Sequence, residues 1–432
     1  MAGSDYFGAM EAILVTIFIL GYAAIAFEHP LKINKSASAL LTGVLVWTIW
    51  VLYSPASLPE VHAELEHHVS AAAEILFFLL AAMTIVELID AHEGFSIITS
   101  SIKTRSKTRF LWIISTIAFF LSAILDNLTT TIVMISLVRK MVHDQEDRMM
   151  FAGMIVIAAN AGGAFSPIGD VTTTMLWIGG QISAANILKT VFLPSVVCLL
   201  VPLLVASRTM KGQISGVAEG QDRVSDTTRL ERNTVFIIGI ASLAFVPVFK
   251  TITGLPPFMG ILFGLGFLWA VVEYIHRAKE DTKKEYFSVS RALQRIDTPS
   301  VLFFLGILIA IGALESTGIL SHLARFMNQE IGNLTWIVTG IGVLSAIVDN
   351  VPLVAASMAM YDLTAYPMDD FLWEYMAYCA GTGGSILIIG SAAGVAAMGM
   401  ERISFIWYVK RISLFALLGY LAGAATYVFI RS

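Results

Sequence analysis

Charge is scarce in this sequence. Only 14% of its 432 residues are Asp, Glu, Lys or Arg, against about 25% in ordinary soluble domains, and 57% are hydrophobic. Water is a poor solvent for such a surface, which excludes a soluble globular domain. Cysteine is nearly missing: Cys198 and Cys379 both fall in apolar stretches, predicting two buried thiols and no disulfide framework. The opening MAGSDYFGAMEAIL lacks a basic n-region and a small-residue cleavage site. It is therefore expected to be an uncleaved first span, not a signal peptide. Surplus positive charge is absent too, the net charge being −5, so nothing suggests a nucleic-acid partner.

What the chain has instead is apolar runs of a length that crosses a hydrocarbon core of about 30 Å. Spans are predicted at 8–28, 36–53, 69–91, 150–182, 186–207, 233–249, 257–275, 299–321, 371–400 and 404–430. Two further apolar segments, 109–142 and 333–361, are each interrupted by Asp-Asn, in LSAILDNLTTTIVM and LSAIVDNVPLVAAS. Such an interruption either ends a span or marks the tip of a re-entrant hairpin. The distribution of basic residues decides between these. With ten crossings, two hairpins and the N-terminus outside, all of the 27 Lys and Arg lie inside except Lys189, Lys250, Arg325 and Arg431. Acidic stretches such as LPEVHAELEHH and YDLTAYPMDD then fall in outside loops. If 109–142 crossed once, Arg139, Lys140 and Arg148 would face outward and the bias would fail.

An internal repeat underlies this pattern. LSAILDN at 121–127 matches LSAIVDN at 344–350 at six of seven positions. FFLLAAMTIVELIDAHEG at 77–94 answers FFLGILIAIGALESTG at 303–318, and ANAGGAFSPIGDVTTTM at 159–175 answers AGTGGSILIIGSAAGVA at 380–396. Each half holds an odd number of crossings, so the second is inverted relative to the first, an arrangement recurrent in secondary transporters. The expected fold is an all-α polytopic membrane protein. It comprises two inverted repeats of five transmembrane helices, each with a re-entrant hairpin and a discontinuous helix. Residues 1–207 form the first repeat, 208–232 a turn-rich cytoplasmic linker and 233–432 the second repeat.

Three carboxylates fall inside or beside the broken helices: Asp126, Asp349 and Asp170. An ionised Asp at the bilayer centre costs about 2.5–3.5 kcal/mol, and no Lys or Arg lies in these segments to offset it. The expected partner is a proton, a bound cation, or each in turn. Oxygen-bearing neighbours suit a hard cation such as Na⁺ or Li⁺. Asn127, Thr129, Thr130 and Thr131 flank the first tip; Asn160, Ser166, Thr172, Thr173 and Thr174 accompany Asp170. The second half offers Ser345, Asn350, Thr382, Ser385 and Ser391. Gly162-Gly163 and Gly383-Gly384 would let the backbone leave helical geometry beside an ion, and Pro167 and Pro352 would free a carbonyl. Half-helix ends would add carbonyl dipoles. Ordinary roles compete: hydroxyls in membrane helices often bond their own backbone, and Asp170 could be an N-cap. Glu87, Asp90 and Glu315 sit near span ends, where snorkelling or a loop contact is expected. All eight histidines lie close to loop ends, where a solvated position is expected.

The motifs LDNLTTT at 125–131, NAGGAFSPIGDVTTTMLW at 160–177, VDNVP at 348–352 and GTGGSILIIGSAAG at 381–394 resemble those of NhaD-type sodium/proton antiporters of the ion transporter superfamily. The resemblance implies electrogenic exchange of cytoplasmic Na⁺ or Li⁺ for external protons, serving salt and alkaline-pH tolerance. It also implies a bacterial inner membrane, an elevator-like motion, a homodimer and no cofactor beyond the transported ions. Related sodium-dicarboxylate transporters carry Ser-Asn-Thr at both tips; here Asp126 and Asp349 replace Ser, and Leu128 and Val351 replace Thr. Two extra carboxylates would repel a dicarboxylate. A sodium-coupled or arsenite-type anion carrier on the same fold is the nearest alternative. An intramembrane aspartyl protease is a remote one, since Pro167-Ile168-Gly169-Asp170 departs from the Gly-x-Gly-Asp such an enzyme would need.

Overall fold

The computed structural model describes residues 2–54, 56–99, 102, 104–214, 227–277 and 286–431. Most of the predicted linker (215–226) and part of the loop after His276 (278–285) lie outside the described residues. Helices are the only named elements among those described. Seven are long and apolar enough to span a membrane: Lys35–Tyr53, Leu58–Ala91, Ala184–Thr209, Arg229–Thr253, Pro257–His276, Thr298–Ser316 and Ser413–Arg431. Helix Ala2–Ala26 and two interrupted helices occupy the other three predicted spans. The chain is a polytopic all-α membrane protein.

One boundary is corrected. The acidic stretch LPEVHAELEHH belongs to helix Leu58–Ala91 and is not a loop. Ser57 and Glu60 form a reciprocal capping box there, with Pro59 in the first turn, so the helix starts eleven residues before its apolar part. The amphipathic helix Ile319–Glu330 was also unforeseen, the apolar run before it being read as one continuous span.

Both Asp-Asn interruptions are hairpin tips. Lys107–Ser122 runs alongside Gln145–Ala164 in the same direction: Lys107 pairs with Asp147 at 2.6 Å, the rings of Phe110 and Phe151 lie 5.0 Å apart, and Ser122 Oγ donates to Ala159 O at 2.6 Å. Asn127–Met141 then returns. Its first residue touches Asn160, and Arg139 in its last turn shares Glu401 with Arg148. The second hairpin repeats the plan. In Leu334–Leu344, Thr339 bonds Tyr375 at 2.7 Å, and Ser345 just beyond reaches Ala380 O at 3.2 Å. Asn350–Met360 returns, bringing Met358 beside Gly179 and Tyr361 against Tyr366.

Each hairpin cradles an interrupted helix: Gln145–Ala164 followed by Val171–Ile178, and Phe371–Gly383 followed by Ala392–Glu401. The two run in opposite directions. The first starts at Arg148 and ends near Gln181, whose carbonyl accepts from Asp369 N at 2.8 Å. The second starts there and ends at Glu401, beside Arg139 and Arg148. We call these the Glu401 end and the Asp369 end. Lys250 and Arg431, two of the basic residues predicted outside, lie at the Asp369 end, bonded to Trp177 O and Asp369 O. Against this assembly stands a second group of helices, in which Lys35–Tyr53, Leu58–Ala91 and Thr298–Ser316 pack closely.

The paired glycines have a different purpose from the one the sequence suggested. None of Gly162, Gly163, Gly383 and Gly384 has a positive φ. A Cβ on Gly162 would lie 2.0 Å from Phe119 O, and one on Gly383 would lie 1.9 Å from Gly342 O. Their neighbours meet their own loops instead, Gly163 against Gly169 O at 2.5 Å and Gly384 against Gly390 O at 2.8 Å. In both halves the first glycine lets the hairpin pack and the second lets the break close. Pro352 is likewise in the first turn of Asn350–Met360, where no intrahelical donor is needed, so it frees no carbonyl.

Glu401 carries a structural load at its end of the bundle. Its side chain is 1% exposed and accepts from Arg139 Nε at 2.6 Å and Arg148 Nε at 2.9 Å. Glu401→Gln leaves two guanidiniums short of a counter-charge. We expect a lower Tm in detergent, reflecting a stability loss of roughly 1–3 kcal/mol, less than for a fully buried pair because Arg139 faces solvent in part.

Candidate functional site

Four side chains singled out by the sequence are N-caps of the second arms at the breaks: Asp126, Asp170, Asp349 and Ser391. Each carboxylate sits at the N-terminus of a half-helix, where free backbone N–H groups point toward it, while the first arms end there with free carbonyls.

Asp170 lies at the centre. It is 1% exposed, and its Oδ1 accepts from Thr172 N at 3.0 Å and Thr172 Oγ1 at 2.9 Å. Its Oδ2 accepts from Asn127 Nδ2 at 2.8 Å. The same Nδ2 donates to Asn160 Oδ1 at 3.0 Å, and Asn160 Nδ2 donates to Ser385 Oγ at 2.9 Å and Ser391 Oγ at 3.0 Å. Six predicted residues, Asn127, Asn160, Asp170, Thr172, Ser385 and Ser391, thus form one buried network drawn from both halves of the chain. Asp126 and Asp349 flank it, both close enough to act on Asp170 through space.

Asp126 accepts from Thr129, at 2.8 Å from N and 2.7 Å from Oγ1. Its φ of 135° is a conformation that a non-glycine residue seldom adopts, so the tip is strained at this carboxylate. Leu128 and Thr129 line a cleft of about 140 Å³, whose opposite wall includes Glu87, Asp90, Arg295 and Asp297. Thr130 and Thr131 bury hydroxyls with no hydrogen-bond partner among the described residues.

Other predicted residues serve packing. Ser345 bonds Gly342 O and Ala380 O, Ser166 bonds Ala123 O, Thr382 bonds Tyr378 O, and Thr173 approaches Ala164 O at 3.4 Å. Asn350 is buried at its tip but stands outside the network among the described residues. Nor do three His, Cys, Asp or Glu side chains gather into a compact ligand set among those described. Asp126 and Asp349 flank the network that holds Asp170, and the three do not form a triad.

Three features escaped the sequence reading. Asp349 does meet a basic group: Lys35 Nζ lies 2.9 Å from its Oδ2, across 314 positions of sequence. Glu374, fully buried, accepts from Tyr427 at 2.6 Å and from Asn186, with Arg431 at 3.4 Å. Its place in the first turn of a helix after Asp370 gave the only local hint. His92 and His276 are not solvated but buried, with their Nε2 atoms 2.9 Å apart and their rings stacked. They do sit at helix ends, as expected. Glu87 makes the predicted loop contact, to Arg295 at 3.4 Å, and both cysteines are buried and free.

Comparison with known proteins places this geometry. A family model described as "Citrate transporter" matches residues 22–381. Sodium/proton antiporter 1 of Arabidopsis thaliana is 50% identical over 98% of this chain and 73% of its own length. The Na⁺/H⁺ antiporter NhaD of Vibrio cholerae is 32% identical over 96% of this chain and 90% of its own. The chain belongs to the NhaD-type sodium/proton antiporter family. Sodium/proton antiporter 2 of A. thaliana, 46% identical over 97% of this chain and 99% of its own length, belongs with them. NhaD-type membership excludes the protease alternative, since these relatives are transporters and not enzymes.

Proposed function

We propose that this protein exchanges Na⁺ or Li⁺ for protons at the Asp170 network, with Asp126 and Asp349 as flanking carboxylates. The observation that carries the reading is a fully buried Asp170 whose hydrogen bonds come from both halves of the chain. Asn127 spends its amide N–H groups on Asp170 and Asn160, which leaves its amide oxygen for a cation. Carboxylate, amide and threonine oxygens are the donors a hard cation takes. A proton on the same carboxylate removes the charge that holds the cation, and the cation disfavours the proton. That competition couples the two fluxes.

Residues 1–207 and 233–432 form two inverted repeats in this reading, joined by 208–232. Its support is the matching order of hairpin and interrupted helix, and the opposite directions in which they run. The Glu401 end faces the cytoplasm in this reading and the N-terminus lies outside, which the concentration of basic residues at that end supports. The cleft beside Thr129 opens among Glu87, Asp90 and Arg295, so this conformation receives ions from the cytoplasmic side. Release on the other side requires the hairpins and interrupted helices to move against the scaffold. A bacterial inner membrane and a homodimer complete the reading on the family resemblance.

An anion carrier is less well supported. Lys35 is already paired with Asp349, and two further carboxylates face any anion that enters. Proton flux in everted vesicles, recorded on adding Na⁺, Li⁺ or K⁺ from about pH 7 to about pH 10, tests the function. Na⁺ or Li⁺ should collapse the imposed pH gradient; a response only to anionic substrates would reject exchange.

A further inference from the structure

We propose that Lys35 acts as a tethered cation that occupies Asp349 between transport events and competes with the incoming ion. The two hairpin tips differ in what stands three residues past the carboxylate. In the first, Thr129 gives Asp126 a backbone N–H and a hydroxyl. The matching residue of the second is Pro352, which has neither. Asp349 keeps only a bond of 3.3 Å from Val351 N within its own tip. The ammonium of Lys35 supplies what is missing, at 2.9 Å from Oδ2. The two carboxylates are thus unequally prepared: Asp126 is held by neutral donors, Asp349 by a full charge.

Lys35 is fixed to the scaffold, not to the hairpin. It opens helix Lys35–Tyr53, which Asn34 caps through Ser36 N at 2.8 Å. Ser36 Oγ donates to Pro299 O at 2.6 Å, and Gly43 lies against the backbone of Gly306, locking this helix to Thr298–Ser316. The Lys35 ammonium also sits 4.4 Å over the buried ring of Phe303. Its side chain is 25% exposed and that of Asp349 is 15% exposed, so the pair is shielded but reachable by ions. The hydroxyl of Tyr22, buried with no hydrogen-bond partner among the described residues, lies within electrostatic reach of the same carboxylate. When Na⁺ displaces the ammonium, the tie between hairpin and scaffold is cut, and the hairpin is free to move.

This inference rests on the reading of Asp349 as a cation ligand, and the experiment separates the two. Purified protein is titrated with Na⁺ at alkaline pH, and the half-effect concentration for thermal stabilisation is read. Lys35→Gln removes the competitor and should lower that concentration by roughly 3- to 10-fold, the range of a half-shielded ion pair. Lys35→Arg should keep the wild-type value. In Asp349→Asn the half-effect concentration should rise, and adding Lys35→Gln should then change nothing further. An unaltered titration in Lys35→Gln, with Asp349→Asn still shifted, overturns the tethered-cation proposal alone. An unaltered titration in Asp349→Asn removes Asp349 from the site and takes the proposal with it.

Discussion

Asp126→Asn should reduce sodium-driven proton movement in everted vesicles by on the order of 100-fold or more while leaving the protein folded. The substitution separates charge from structure unusually well. Asn is as good an N-cap as Asp and nearly its isostere, so the strained tip and its bond from Thr129 N survive. The Thr129 hydroxyl can turn from donor to acceptor and keep the second bond. Only the negative charge is lost. A cation at about 4 Å from a carboxylate gains about 4 kcal/mol at an effective dielectric of 20, so its loss alone predicts an effect of this size. Asp170→Asn should also abolish exchange. It is the less clean test, because an amide there must either face the Asn127 amide donor or give up a bond from Thr172.

Gly162→Val and Gly383→Val should each prevent recovery of monodisperse protein from detergent-solubilised membranes. The clash in both is with backbone, at 2.0 Å from Phe119 O and 1.9 Å from Gly342 O, and backbone cannot rotate away. Overpacking a well-fitted interior costs typically about 1–3 kcal/mol, and here the whole hairpin must also separate from the interrupted helix. Gly266→Ala is the matched control, since nothing lies within 4 Å of the Cβ it would add. Its elution profile should equal that of the wild type.

The architecture was legible where physics acts locally. A run of about 20 apolar residues has one stable use, and Asp-Asn within such a run breaks it, so spans and tips could be read directly. The duplicated LSAI-DN motif then located the second tip from the first. Residues of the network were legible as types, because Asn160, Asp170, Ser385 and Ser391 are polar groups in otherwise apolar surroundings. Their mutual bonding was not, since Asn160 meets Ser391 across 231 positions. Lys35 was hidden for the same reason, and also because its place at a span end made it look like one more loop cation. The glycine pairs were recognised but assigned to the wrong partner. Sequence shows that a side chain is missing, not which backbone fills the space. Helix Leu58–Ala91 was shortened because hydropathy sees only its apolar part, whereas the capping box sets its start.

A sodium ion and a proton that occupy one carboxylate set in turn must each weaken the other's binding. Calorimetric titration of purified protein with Na⁺ across a pH series measures this directly. The apparent affinity should fall about tenfold per pH unit per displaced proton as the solution is acidified, with protons released into buffer on binding. Sodium affinity that stays constant with pH, with no proton release, would contradict a shared site.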